Sequence, residues 1–287
     1  QRILRTAQAL ARVSSAAVVV MTFEPHPLAI LRPDHAPPRL TPWQEKAHQL
    51  ERAGADMIVR LKADRALLSL SPDEFVRDIL VKRIHPSYIV EGPDFGFGRG
   101  RSGNVDVLAG MSAKGGYQLR VAEPYRLLLS NGEHAVVSSM VIRKCLSEGL
   151  VEDAAACLGR PYSLLGKVVR GAGDGKKLGF PTINLEVGQQ MVPADGVYAG
   201  VAHVAGPAGT TLRRAAAISL GCRPTLGGTT LVVEAHVLEA SGNWYDTMAR
   251  LELIRRLREQ IKFDSRQALT DQIAKDLDGV RAAISIG

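Results

Sequence analysis

Residues 166–185 read G-K-V-V-R-G-A-G-D-G-K-K-L-G-F-P-T-I-N-L. Glycines stand at 171, 173, 175 and 179, with Lys176 and Lys177 between the last two. Glycine permits positive φ and close approach of backbone to a ligand, and a turn with open N–H groups can cradle phosphate. Val168 and Val169 read as a strand running into that turn, and Pro181 stiffens its exit. Thr182 and Asn184 then share one face if the chain is extended there. A hydroxyl and an amide oxygen side by side are hard donors of the kind magnesium takes when it is bound to a nucleotide. The same composition also fits an ordinary glycine-rich hairpin with a polar tip.

Beyond this turn the spacing predicts strand after short strand, at 163–170, 197–204, 211–219 and 231–238, with glycine turns between them. That pattern predicts a small antiparallel β-barrel. Glu234 lies in V-V-E-A-H-V, where Val232, Glu234 and His236 share one face and Val233, Ala235 and Val237 the other. A carboxylate on such a wall is either solvated or functional. Arg223 follows Gly221 in a loop, where it meets phosphate or pairs at the surface. Residues 250–261 carry Leu251, Ile254, Leu257 and Ile261 at helical spacing, which predicts an amphipathic helix across the barrel with Arg255, Arg256 and Arg258 on its solvated face. A final helix is expected over 267–284.

The first half alternates differently. Helices are expected over 2–13 and 42–53, the second with Thr41 as N-cap and Pro42 at its first position. Another is expected from a Ser71–Glu74 capping box. Strands are expected at 17–23, 57–61, 88–91, 119–122 and 134–139, and 28–41 is expected to be irregular. This is a doubly wound α/β pattern. The strand at 88–91 empties into G-P-D-F-G-F-G-R-G-R-S-G at 92–103, where Asp94, Phe95, Arg99 and Arg101 occupy the position of a ligand crevice. The alternative is a flexible surface loop. His26, after a strand, either touches a ligand or braces its loop. Ser138 or Ser139 is placed to cap a helix whose N-terminus suits phosphate, with Arg143 one turn on.

A net charge of +7 over 287 residues favours anionic partners. The basic residues are scattered and aromatics are only 5%, so nucleotides are expected rather than nucleic acid. Cys145, Cys157 and Cys222 form no C-x-x-C pair and predict neither a disulfide framework nor a zinc site. The run 16–21 is too short to span a bilayer, and with no signal pattern the expected compartment is the cytoplasm. Oligomeric state is not legible.

The run Gly179-Phe180-Pro181-Thr182-Ile183-Asn184 resembles the signature of riboflavin kinase, as found in the second half of the bacterial bifunctional riboflavin kinase/FAD synthetase (FMN adenylyltransferase) family. The resemblance continues through Asp195-Gly196-Val197-Tyr198, Gly221-Cys222-Arg223-Pro224-Thr225, Glu234 and Lys262-Phe263-Asp264-Ser265. The first half is similar to the family's adenylyltransferase domain at T-F-E-P-H-P (22–27), at the 92–103 loop and at Ser138-Ser139-Met140-Val141-Ile142-Arg143. The resemblance implies an adenylyltransferase domain over 1–154 and a kinase domain over 155–287. The kinase would pass the γ-phosphoryl of ATP to riboflavin, giving FMN, and the first domain would pass AMP to FMN, giving FAD. Gly171, Gly173, Gly175, Lys176, Gly179, Pro181 and Arg223 would hold nucleotide, Thr182 and Asn184 magnesium, and Glu234 would be the base. Asp94, Phe95, Arg99, Arg101, Ser138, Ser139 and Arg143 would bind flavin and nucleotide. Gly96, Asn104 and Met140 depart from the family pattern. The family's His-x-Gly-His element, which follows its first strand, does not occur in this sequence; either it stands upstream of Gln1, after a strand that would precede the opening helix, or the protein lacks it. The alternatives are a kinase with an inactive first domain, or a flavin-sensing protein without turnover.

Overall fold

A computed structural model describes residues 1–171, 173–225 and 228–284, with the side chains of 174, 177 and 223–230 also outside the description. The chain divides into two units, residues 1–37 with 41–125, and 38–40 with 126–287.

In the first unit, strands β1 (Val19–Glu24) and β2 (Met57–Lys62) pair in parallel, as do β3 (Tyr88–Glu91) and β4 (Gln118–Val121). Parallel pairs need helical crossovers, and the helices Arg2–Ser14 and Trp43–Arg52 alternate with the strands as expected. Ser71 caps Pro72–Glu74 with a complete capping box, and the helical run continues through Phe75–Val81. Phe75, Val76, Ile79 and Leu80 bury one side of it against Phe97, Leu108 and Tyr117. Two expectations fail. The proline-rich 28–41 segment holds a short helix, Pro27–Leu31, and a 3-10 turn, Pro33–His35, because the fixed φ of proline suits the first helical position. The 43–52 helix has Pro42 rather than Thr41 at its N-cap, with no side-chain cap.

In the second unit, β5 (Arg126–Leu128) and β6 (His134–Val136) form a hairpin, followed by helices Ser139–Ser147 and Val151–Leu158. The strands β7 (Tyr162–Val169), β8 (Ile183–Glu186), β9 (Gly196–Ala205), β10 (Thr211–Thr225), β11 (Gly228–Val237) and β12 (Met248–Arg258) close a barrel in the order β10-β11-β8-β7-β12-β9. Every pair in it is antiparallel. Alternate residues such as Val168, Ile183, Leu185, Ile218, Val233, Ala235 and Leu251 are buried in one core, which Ile142, Leu146 and Val151 of the preceding helices also join. The terminal helix Arg266–Ala283 packs Leu277 and Val280 with Ala199 and Leu238 in a second cluster.

The helix expected over 250–261 is instead strand β12. Ala249, Leu251 and Leu253 are buried while Arg250 and Glu252 are not, a period of two that the helical spacing of leucines masked. Nor are its arginines simply solvated. Arg258 grips the buried Asp276 with two nitrogens, at 2.9 and 2.7 Å, and so ties the terminal helix to the barrel rim. Arg256 donates to the Asp195 carbonyl at 2.6 Å.

Burial at the carboxyl end of β3 pushes the Glu91 carboxyl up from about 4.5 to about 7. The folded state therefore keeps this proton at pH values where the unfolded chain has released it. Its contribution is full below about pH 4.5 and lost as pH rises through 7. Thermal unfolding of the protein and of Glu91→Gln, followed from pH 4.5 to 8, should diverge: the parent loses stability relative to the variant as pH rises. A constant difference would contradict the placement of Glu91.

Candidate active site

The antiparallel register of β8 with β11 sets Asn184 opposite Glu234 and Ile183 opposite Ala235. Ile183 and Ala235 point into the core, so Asn184 and Glu234 stand together on the outer wall, each half-buried. Thr182, two residues before Asn184, is also half-buried. On the other side β7 sets Val169 opposite Asn184, and the chain then turns at Gly171.

That turn lies directly over the pair of oxygen donors. A Cβ at Gly171 would run into the Asn184 amide, and one at Gly175 would press on the Phe180 carbonyl and come within 3.3 Å of the Thr182 hydroxyl. Gly173 and Gly179 have φ of 77° and 85°, which glycine adopts without strain. The turn closes through the short helix Asp174–Lys177 and a Phe180 N–H bond to the Gly175 carbonyl at 2.9 Å. Lys176 and Pro181 are exposed. The side chain of Arg223 lies outside the described residues. Thus Gly171, Gly175, Thr182, Asn184 and Glu234, scattered over 64 positions of sequence, meet at one place on the barrel wall. The hard oxygens under a glycine cradle fit a metal that arrives with phosphates. Among the described residues no cluster of three His, Cys, Asp or Glu side chains would hold a metal independently.

Two neighbours were not legible in the sequence. Ser219 of β10 is the other cross-strand partner of Glu234. Its hydroxyl accepts a bond from Gln260 Nε2 at 2.9 Å, and the same nitrogen donates to the Leu220 carbonyl at 3.1 Å. Only the register of β10, together with the return of the chain after β12, brings them there.

In the first unit the 92–103 loop is structured. Phe97 and Gly103 exchange both backbone hydrogen bonds at 3.0 Å, and the Phe97 ring stacks with Phe95 at 5.4 Å. Arg101 donates to the Asp94 carbonyl at 3.1 Å. A Cβ at Gly96 would lie 2.8 Å from that guanidinium, so Arg101 fills the space a side chain at 96 would take. Asn104 accepts from the Val107 N–H and caps the next helix, a role aspartate fills equally. Arg99 is exposed. His26 accepts from the Leu28 N–H at 3.2 Å through Nδ1. In the second unit Ser138 caps its helix by accepting from the Val141 N–H, and Ser139 opens it. Arg143 folds back to the Pro38 and Ser139 carbonyls at 3.0 and 3.3 Å, and burial lowers its pKa. Met140 is 80% exposed.

The chain thus joins an α/β unit to a closed antiparallel barrel that carries a glycine turn over Thr182, Asn184 and Glu234. The riboflavin kinase family profile matches residues 158–284 and the FAD synthetase profile residues 1–139. The bifunctional riboflavin kinase/FMN adenylyltransferase of Escherichia coli K12 is 32% identical over 259 residues, covering 90% of this chain and 80% of that protein. The enzyme of the same description from Haemophilus influenzae is 32% identical over 282 residues, covering 98% and 89%. A crystal structure of a protein described as a macrolide-efflux protein from Streptococcus pneumoniae superposes with a TM-score of 0.84 at 26% identity, covering 97% of this chain and 88% of that one. Among the described residues here, no helix is long and apolar enough to cross a membrane. The chain belongs to the bifunctional riboflavin kinase/FMN adenylyltransferase family. It carries both enzymatic regions, which favours two activities over a kinase with an inactive first domain.

Because Gly171 has no room for a side chain over Asn184, Gly171→Ala should displace the amide. Misplacement of a positioning group by about an ångström can cost about 10²-fold in rate. FMN formation should fall by about that factor while the thermal midpoint stays near that of the parent. Unchanged turnover would mean that the turn does not close on Asn184.

Proposed function

We propose that this chain makes FMN and then FAD, with residues 155–287 phosphorylating riboflavin and residues 1–154 adenylylating the product. The observation that carries the kinase half is the pairing of Asn184 with Glu234 on the outer wall beneath the Gly171–Gly179 turn. Gly171, Gly173, Gly175, Lys176, Gly179, Pro181 and Arg223 hold the phosphates of ATP. Thr182 and Asn184 hold magnesium, which when bound spreads the negative charge of the transferring phosphoryl. Glu234 accepts the proton of the terminal ribityl hydroxyl as that oxygen attacks the γ-phosphorus, and ADP leaves. Ser219, on the adjoining strand and held by Gln260, lies where it can orient that carboxylate.

For adenylyl transfer, the stacked Phe95 offers an aromatic surface to the flavin, Arg99 and Arg101 offer positive charge to its phosphate and to the nucleotide, and Asp94 offers a carboxylate that can accept hydrogen bonds from the flavin. Ser138 and Ser139 at a helix N-terminus, with Arg143, serve the nucleotide phosphates. The partners on this reading are flavins and ATP rather than nucleic acid, and the compartment is the cytoplasm.

Riboflavin, ATP and magnesium should yield FMN, and FMN with ATP should yield FAD and pyrophosphate. Glu234→Gln should lose about 10²- to 10⁴-fold in FMN formation, the usual worth of a positioned base, while ATP binding persists. Near-parental turnover by chromatography of the flavins would remove Glu234 from this role. Asn184→Ala should raise the magnesium concentration needed for half-maximal rate, whereas an unchanged magnesium titration would leave Asn184 with a structural role alone.

A further inference from the structure

The ladder between β8 and β11 pairs Glu234 with Asn184 and Ala235 with Ile183, and β8 begins at Ile183. Thr182 and the turn before it therefore lie beyond the reach of strand pairing on this side. Pro181 has no N–H with which to extend the ladder. A side chain takes over where the backbone stops. His236 shares the outer face with Glu234, two residues along β11, and its Nδ1 lies 2.8 Å from the Pro181 carbonyl oxygen. A carbonyl only accepts, so Nδ1 carries the proton and donates it. The same ring meets Phe180 edge to face, with centroids 5.8 Å apart and planes at 86°. Phe180 in turn closes the glycine turn through its N–H bond to Gly175. One imidazole thus ties the exit of the phosphate turn to the strand that carries the carboxylate.

We infer that His236 is a positioning residue for riboflavin phosphorylation: it clamps Phe180 and Pro181 to β11 and so holds Thr182 and the glycine turn in line with Glu234. The inference rests on the kinase reading of this site. It differs from a mere packing role in what it affects. The clamped segment carries the groups assigned to ATP and magnesium, so loss of the clamp weakens their use and leaves riboflavin binding alone.

The test compares His236→Phe, which keeps a ring for Phe180 and removes the donor, with His236→Asn, whose amide N–H stands near the place of Nδ1. Steady-state FMN formation gives kcat and separate KM values for magnesium-ATP and riboflavin, with Asn184→Ala measured alongside. His236→Phe should raise the KM for magnesium-ATP by about 5- to 10-fold, the equivalent of about one net hydrogen bond, with the riboflavin KM unchanged. His236→Asn should recover most of that loss. If the Phe variant does not fold, His236→Gln, with its amide one methylene farther out, should show the same selective rise. The clamp is overturned if magnesium-ATP KM does not move, or if both KM values shift together and Asn gives no recovery. If Asn184→Ala also leaves magnesium-ATP use unchanged, Asn184 has a structural role alone, the placing of ATP and magnesium at this turn falls, and the clamp falls with it. If Asn184→Ala raises that KM and the His236 variants do not, the clamp alone falls.

Discussion

The cross-strand pairing of Asn184 with Glu234 is the constraint on which the second unit's chemistry depends. Because side chains alternate along a strand, a slip of one residue would turn either group into the core. The buried neighbours forbid that slip: Ile183, Leu185, Val233 and Ala235 fill the interior, and exchanging them for an amide and a carboxylate would bury polar groups without partners. The apolar core of the barrel thus fixes the polar site outside it. Closure through six antiparallel strands leaves no free edge along which the register could relax.

The wall that bears the site is braced from its rim. After β12 the chain sends Gln260 back to Ser219, and Arg258 to the buried Asp276 of the terminal helix. Removing one partner of a buried ion pair is costly because the other charge is left without compensation, so the terminal helix is anchored by more than its apolar stripe. The glycine turn has a different character. It is open at Gly171, Gly173 and Gly179, and its described ties to the barrel pass through Phe180 and Pro181.

Much of this was readable in the sequence, and the failures have physical causes. Four of the six strands that close the barrel, β7, β9, β10 and β11, announced themselves by alternation between glycine turns, and the Ser71 capping box by its spacing. Residues 250–261 misled because Leu251, Ile254 and Leu257 fit a helical stripe while Ala249, Leu251 and Leu253 fit a strand; only the space inside the barrel decides between the two periods. Gly171, Thr182, Asn184 and Glu234 stood out as residue types suited to phosphate, metal and proton transfer. Ser219, Gln260 and His236 did not, since a serine, a glutamine and a strand histidine gain their meaning from partners 15, 41 and 55 positions away. Glu91 was equally silent: four strand residues before a glycine say nothing of the burial that lifts its pKa. The side chain of Arg223 stays a sequence-level assignment.

The most direct test of the account is a crystal structure of the protein with riboflavin, magnesium and a non-hydrolysable ATP analogue. The metal should have Thr182 and Asn184 as its protein ligands, and the terminal ribityl hydroxyl should lie within hydrogen-bond distance of Glu234. The glycine turn should lie over the phosphates on the outer wall of the barrel. Flavin and nucleotide bound to the second unit with neither Asn184 nor Glu234 at the reacting phosphate would contradict it.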